Sequence, residues 1–172
     1  VLAWIIIYVI RISKKHLQKK KDNPYAGIRN MALQTTPGQM GLNPDADPST
    51  VYGMVMDWPM SKGIITLVCF NTGDASMYTS TGGGMIGGVT QDAIKKTAVE
   101  FVHNAQDFLK LAVKIDTVEL PDAGTLQFCF LTPSGIFIAR ESFSQIENDN
   151  SALLPLFVQA NEVITALRTT KA

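Results

Sequence analysis

Cysteine is scarce. Two in 172 residues, Cys69 and Cys129, build neither a disulfide scaffold nor a four-cysteine zinc site. Histidine is limited to His16 and His103, and neither has a Cys, His or Asp at metal-ligand spacing. Charged residues are sparse, 17% against 46% hydrophobic, which excludes a disordered chain and a coiled coil. The thirteen glycines keep no fixed period, so the chain is not collagen-like. There is no internal repeat and no low-complexity tract. No acid–base pair or nucleophile constellation stands out, so no catalytic residue, metal ligand or cofactor is assigned from the sequence.

The net charge of zero conceals a split. Residues 1–21 hold six cations (Arg11, Lys14, Lys15, Lys19, Lys20, Lys21) and no acid. Subtracting these six from the 15 cations leaves nine against 15 acids, a body of net −6. An acidic body repels phosphate, so nucleic acid is excluded as a partner. The length suits one domain plus an appendage.

The appendage is residues 1–21. Val1 to Ile10 reads VLAWIIIYVI, and RISKKHLQKKK follows. A helix of ten to twelve residues covers roughly 15–18 Å, against a bilayer core of about 30 Å. The expectation is therefore a truncated membrane-anchor helix whose first half lies upstream. An interfacial helix or a buried helix of the domain are the alternatives. Positive charge follows the apolar run, the reverse of a secretory signal. By the positive-inside rule this order puts the anchor in the inner membrane and the following domain in the cytoplasm. The lysine flank would also attract anionic lipid.

Residues 22–50 read as a short helix and a linker loop. Tyr25, Ile28, Met31 and Ala32 set a helical spacing, and residues 35–50 hold three prolines and two glycines, which mark a loop. Residues 51–172 read as an α+β domain. Val51–Asp57 is strand-like and ends at Trp58-Pro59. Ile64–Phe70 is almost wholly apolar, the mark of a central strand covered on both faces. Ala75–Thr79 returns as a hairpin and reads as an exposed edge. Thr90 opens a long amphipathic helix, as its N-cap, with Ile94, Ala98, Phe101, Ala105, Phe108 and Ala112 on one stripe. Leu126, Phe128 and Phe130 alternate on a strand that pairs with Ile136–Glu141. Residues 144–151 are polar, and a closing helix runs from about Ser151 to Leu167. The expected architecture is an antiparallel sheet of about five strands with two packed amphipathic helices, in ββαββα order. That order resembles a roadblock- or profilin-like topology. Phe101, Phe108, Leu126, Phe128, Phe130, Phe157 and Ile164 are expected to share one core.

The most distinctive stretch is Ser80-Thr-Gly-Gly-Gly-Met-Ile-Gly-Gly88. With Val51–Asp57, Gly73–Tyr78, Leu154–Phe157 and Val163–Arg168, it resembles a family of bacterial single-domain proteins that carry a S-x-GGG-x-IGG motif. The resemblance covers roughly residues 25–170. It implies a bacterial origin and a compact domain, and it implies no activity.

The glycines Gly82, Gly83, Gly84, Gly87 and Gly88 sit between a strand and a helix. They match neither a GxGxxG fingerprint nor a P-loop, since no Lys-Ser/Thr follows. One reading has them admit a ligand or partner close to the backbone. The other has them serve a tight turn and close helix–sheet packing. Ser76, Tyr78 and Ser80 stand at period two just before them and form a candidate hydroxyl row, or else the polar outer face of a strand. Cys69 and Cys129 fall in apolar strands and read as buried thiols. Asp57, Arg140 and Glu141 read as surface charges near strand ends.

Two functions follow. The first is a membrane-tethered cytoplasmic adaptor or scaffold without catalytic activity, recruiting a protein partner by strand addition. The second is a small-molecule-binding domain or enzyme using the glycine-rich loop at residues 82–88.

Overall fold

The computed structural model describes residues 24–88 and 91–169. The expected anchor and Thr90 lie outside the described residues.

In chain order the elements are α1 (Tyr25–Leu33), β1 (Gly53–Met60), β2 (Gly63–Phe70), β3 (Ala75–Thr79) and β4 (Gly84–Gly87). Then come α2 (Asp92–Ala105), a 3-10 helix (Gln106–Leu111), β5 (Val113–Ile115), β6 (Thr125–Thr132) and β7 (Gly135–Ser142). Two helices close the chain, α3 (Phe143–Glu147) and α4 (Leu154–Thr169). The class is α+β. Among the described residues the strands form one antiparallel sheet of seven, ordered β4-β3-β2-β1-β6-β7-β5.

Seven strands replace the expected five, and the simple ββαββα order does not hold. The extra strands are the end strands of the sheet. β4 is formed inside the glycine run, and β5 is three residues long. Consequently Ala75–Thr79 is not an edge: β4 covers it, with Ser76 opposite Ile86 and Met77 opposite Met85.

Strand alternation divides the side chains between two faces. Met54, Met56, Leu67, Cys69, Leu126, Phe128 and Phe130 point to the face covered by α2 and α4. Ile94, Ala98, Phe101 and Val102 of α2, and Leu156, Ala160, Val163 and Leu167 of α4, complete that core. Phe101, Leu126, Phe128, Phe130 and Ile164 are buried there as expected, while Phe108 and Phe157 are half-buried at its margin. Trp58, Phe143 and Phe157 stack at that margin, with ring centroids 5.1–5.8 Å apart. The opposite face carries Tyr52, Val55, Val68, Cys129, Leu131 and Ile138, covered by α1 through Ala32 and by Leu33, Leu42 and Val118.

Several boundaries differ from the sequence reading, each for a local reason. β1 runs through Trp58-Pro59 because β6 pairs with it only as far as Asp57. Beyond that point β2 is its one neighbour in the sheet, and a residue without an N–H is tolerated on such a flank. The α-helical part of the long helix stops at Ala105, so Phe108 and Leu109 fall in the tighter 3-10 turn. The polar stretch after β7 contains α3, which buries Ile146. α4 starts at Leu154, which still leaves Pro155 in the first turn. α1 buries Tyr25, Arg29 and Ala32, and leaves Met31 exposed.

Candidate functional site

An ion pair fixes α1 to the sheet. Asp57 points to the α1 face at a register where β1 still has β2 and β6 on its two sides. Its side chain is fully buried, and that of Arg29 is 5% exposed. The expectation that Asp57 is a surface charge is therefore wrong. Arg29 donates from Nε to both carboxylate oxygens at 3.1 Å and from Nη2 to Oδ2 at 2.7 Å. Thr66 Oγ1 donates to Oδ1 at 2.7 Å, and Gln127 Nε2 to Oδ2 at 3.1 Å. The Thr66 proton is thus committed, so the Tyr25 hydroxyl is the donor in its 2.7 Å contact with Thr66. Gln127 also donates to the Glu119 carbonyl, and its Oε1 accepts from Arg140 Nε at 2.7 Å. Arg140, expected as a surface charge, is exposed but holds this position.

The electrostatics follow from that geometry. Burial alone would lower Arg29, but Asp57 outweighs it and the guanidinium lies above its usual value. Burial pushes the Tyr25 phenol up, and the nearby Asp57 charge adds to the rise against the Thr66 hydrogen bond. Every side chain in the network is partnered, and it makes no opening to solvent at Asp57. Its role is to position α1.

That position creates the site. The glycine run is not a strand-to-helix loop. It is a hairpin turn followed by β4. Gly82 and Gly83 turn with left-handed φ of 104° and 88°, and the Thr79 N–H closes the turn on the Gly83 carbonyl at 3.1 Å. A Cβ on Gly84 would sit 2.7 Å from the Met77 carbonyl oxygen, and one on Gly87 would meet Ile94 and Leu167. Each of these glycines therefore has a steric or conformational task, and together they leave an edge strand. On that strand Ile86 is 81% exposed and Met85 is 41% exposed.

The edge lies in a slot. On the α1 side a cavity of about 240 Å³ is walled by Pro24, Tyr25, Ile28, Tyr78, Gly82–Gly84 and Ile86. On the helix side a cavity of about 370 Å³ lies against Met85, Gln91, Ile94, Leu167 and Arg168, and shares Gly84 and Ile86 with the first. A third cavity, about 580 Å³, extends along α1 past Ser76, Phe70, Gln34 and Gln39 and shares Ile28, Tyr78 and Ile86 with the first.

The residues expected from the sequence are thus partly brought together. Tyr78 and Gly82, Gly83 and Gly84 line the smaller cavity, and Ser76 and Tyr78 line the larger. Ser80 leaves the row: it lies past the end of β3, where its Oγ accepts the Ile64 N–H at 2.8 Å. Gly87 lies under α2 and α4, and Gly88 lies against the Gly73–Asp74 backbone. Tyr25, Ile28, Ile86 and Arg168 complete the walls and are not among the site residues expected from the sequence. The free end of β4 had one signal in the sequence, two apolar residues between glycines with no neighbouring charge.

Cys69 and Cys129 are free, buried thiols whose pKa burial raises. Among the described residues no group of His, Cys, Asp and Glu is placed to hold a metal ion, and no helix is long and apolar enough to cross a membrane. No family model, curated protein or solved structure matches the chain.

Proposed function

We propose that the protein is a membrane-tethered cytoplasmic adaptor domain that recruits a protein partner by strand addition along β4. The observation that carries the reading is an edge strand with exposed Met85 and Ile86 and a cavity on each side of the sheet beside it. Strand addition draws affinity from backbone hydrogen bonds and specificity from pockets for alternate side chains. The other end strand is a poorer candidate, because β5 is three residues long and carries Lys114, a charge of the kind that protects edges from pairing.

Residues 1–21 supply the tether in this reading, through their apolar run and six cations. Pro24, three residues after Lys21 in the chain, is itself a wall of the slot. A partner seated along β4 would be held beside the anchor.

Photo-crosslinking in cells tests this. A photoreactive residue at position 86 of the full chain should give a discrete protein adduct in the membrane fraction. The same residue at position 113, on β5, should give none. Equal labelling at both positions, or recovery of the full chain in the soluble fraction at low salt, would contradict the reading.

A second reading draws on the cavity of about 580 Å³ beside Ser76, Tyr78, Gln34 and Gln39, a size that suits a small organic ligand. It requires a small ligand whose binding is lost on Ser76→Ala or Tyr78→Phe and kept when a charge replaces Arg168, which does not line this cavity.

A further inference from the structure

We infer that the slot beside β4 takes an extended segment in which an apolar residue stands next to a single acidic one. The inference rests on the strand-addition reading and names the chemistry of its partner.

The two cavities differ in kind. The α1-side cavity is lined by Pro24, Tyr25, Ile28, Tyr78 and Ile86 with threonine and glycine backbone, and no charged residue lines it. It accepts an aliphatic or aromatic side chain. The helix-side cavity has Gln91 and Arg168 at its wall, and no acid lines it. It accepts a group that pairs with a guanidinium, and a carboxylate fits that fork best. In an extended segment successive side chains point to opposite faces. A residue entering the first cavity therefore has its immediate neighbour entering the second.

The number of acids follows from the wall. Among the described residues Arg168 is the one cation lining the helix-side cavity, so one carboxylate is matched there and a second gains no partner. A second copy of this chain does not meet the requirement through its own β4, since Gly84–Gly87 has four residues and no acid. The occupant is a segment of another protein.

The test is panning of a random decapeptide display library against the full chain in mild detergent. Two variants are carried in parallel, Ile86→Lys and Arg168→Glu, both at exposed positions. Unchanged melting temperatures show that the variants remain folded. The expected result is enrichment of peptides with an apolar residue beside Asp or Glu. Their affinity should fall about tenfold or more on Ile86→Lys, as for a buried anchor contact. Arg168→Glu should turn the selected acid into Lys or Arg. Peptides that depend on Ile86 but show no acid preference, and ignore Arg168→Glu, would overturn this inference and leave strand addition standing. No enrichment, or peptides indifferent to Ile86→Lys, would overturn both.

Discussion

Arg29 on α1 and Asp57 on β1 lie 28 residues apart in the chain and meet through three charge-assisted hydrogen bonds of 2.7–3.1 Å. Both side chains are buried. The pair places α1 over the sheet, and the N-terminal end of α1 forms one wall of the slot at β4. A polar network in the interior thereby shapes an apolar site at the surface.

Breaking one side of this pair leaves an uncompensated buried charge. Arg29→Met should destabilise the fold by about 3–5 kcal/mol, read by urea denaturation of the full chain. The double variant Arg29→Met/Asp57→Leu should recover part of that loss, because neither charge then remains buried. A double variant as unstable as the sum of both single variants would mean the pair does not act as a unit.

The main core makes a simpler demand. Phe128 is fully buried among Leu126, Phe130 and the helices α2 and α4. Phe128→Ala should cost about 3–5 kcal/mol. A loss below about 1 kcal/mol would be inconsistent with a close-packed site.

Glycine substitutions separate turn from edge. Gly27, inside α1, has open space around it and no left-handed φ, so Gly27→Ala should stabilise by roughly 0.5–1 kcal/mol. Gly82→Ala meets no neighbour but keeps a φ of 104°, and should cost about 1–3 kcal/mol. Gly84→Ala would press against the Met77 carbonyl and should loosen β4 itself. Amide exchange at residues 84–87 that stays unchanged in Gly84→Ala would count against this packing.

The buried phenols set an alkaline limit. Burial raises both Tyr25 and Tyr52 above their ordinary value. A raised folded pKa means the folded state holds the proton more tightly. The stability this contributes is fully present below the unfolded pKa of about 10. It is lost as pH rises through the folded pKa. The melting temperature should fall above pH 10, and Tyr52→Phe should flatten that part of the fall. An identical alkaline slope in wild type and Tyr52→Phe would exclude Tyr52 as a contributor.

Much of the fold was legible because its central strands and main helices carry strong patterns. β2 is apolar but for Thr66, β6 alternates, and α2 and α4 each have a clear stripe. β4 was hidden because Gly84-Met-Ile-Gly87 has too few side chains to show a period, and the glycines read as a loop. Asp57 reads as a surface charge because Trp58-Pro59 has the look of a strand end, and nothing local reveals that β2 keeps pairing past it. Arg29 escapes the pattern because apolar spacing alone marks a helix face in the sequence. Its position four residues after Tyr25 and three before Ala32 puts all three on one face, but only the buried Asp57 makes that face the inner one.

Backbone exchange at β4 tests the central claim most directly. Strand addition must protect the β4 amides, because the incoming segment bonds to the backbone and not only to side chains. Hydrogen exchange of the full chain is measured with and without a saturating peptide from the Ile86-dependent selection. The account predicts new protection concentrated at residues 84–87, with residues 113–115 on β5 unchanged. Protection confined to the outer faces of α2 and α4, with β4 exchanging as before, would contradict it.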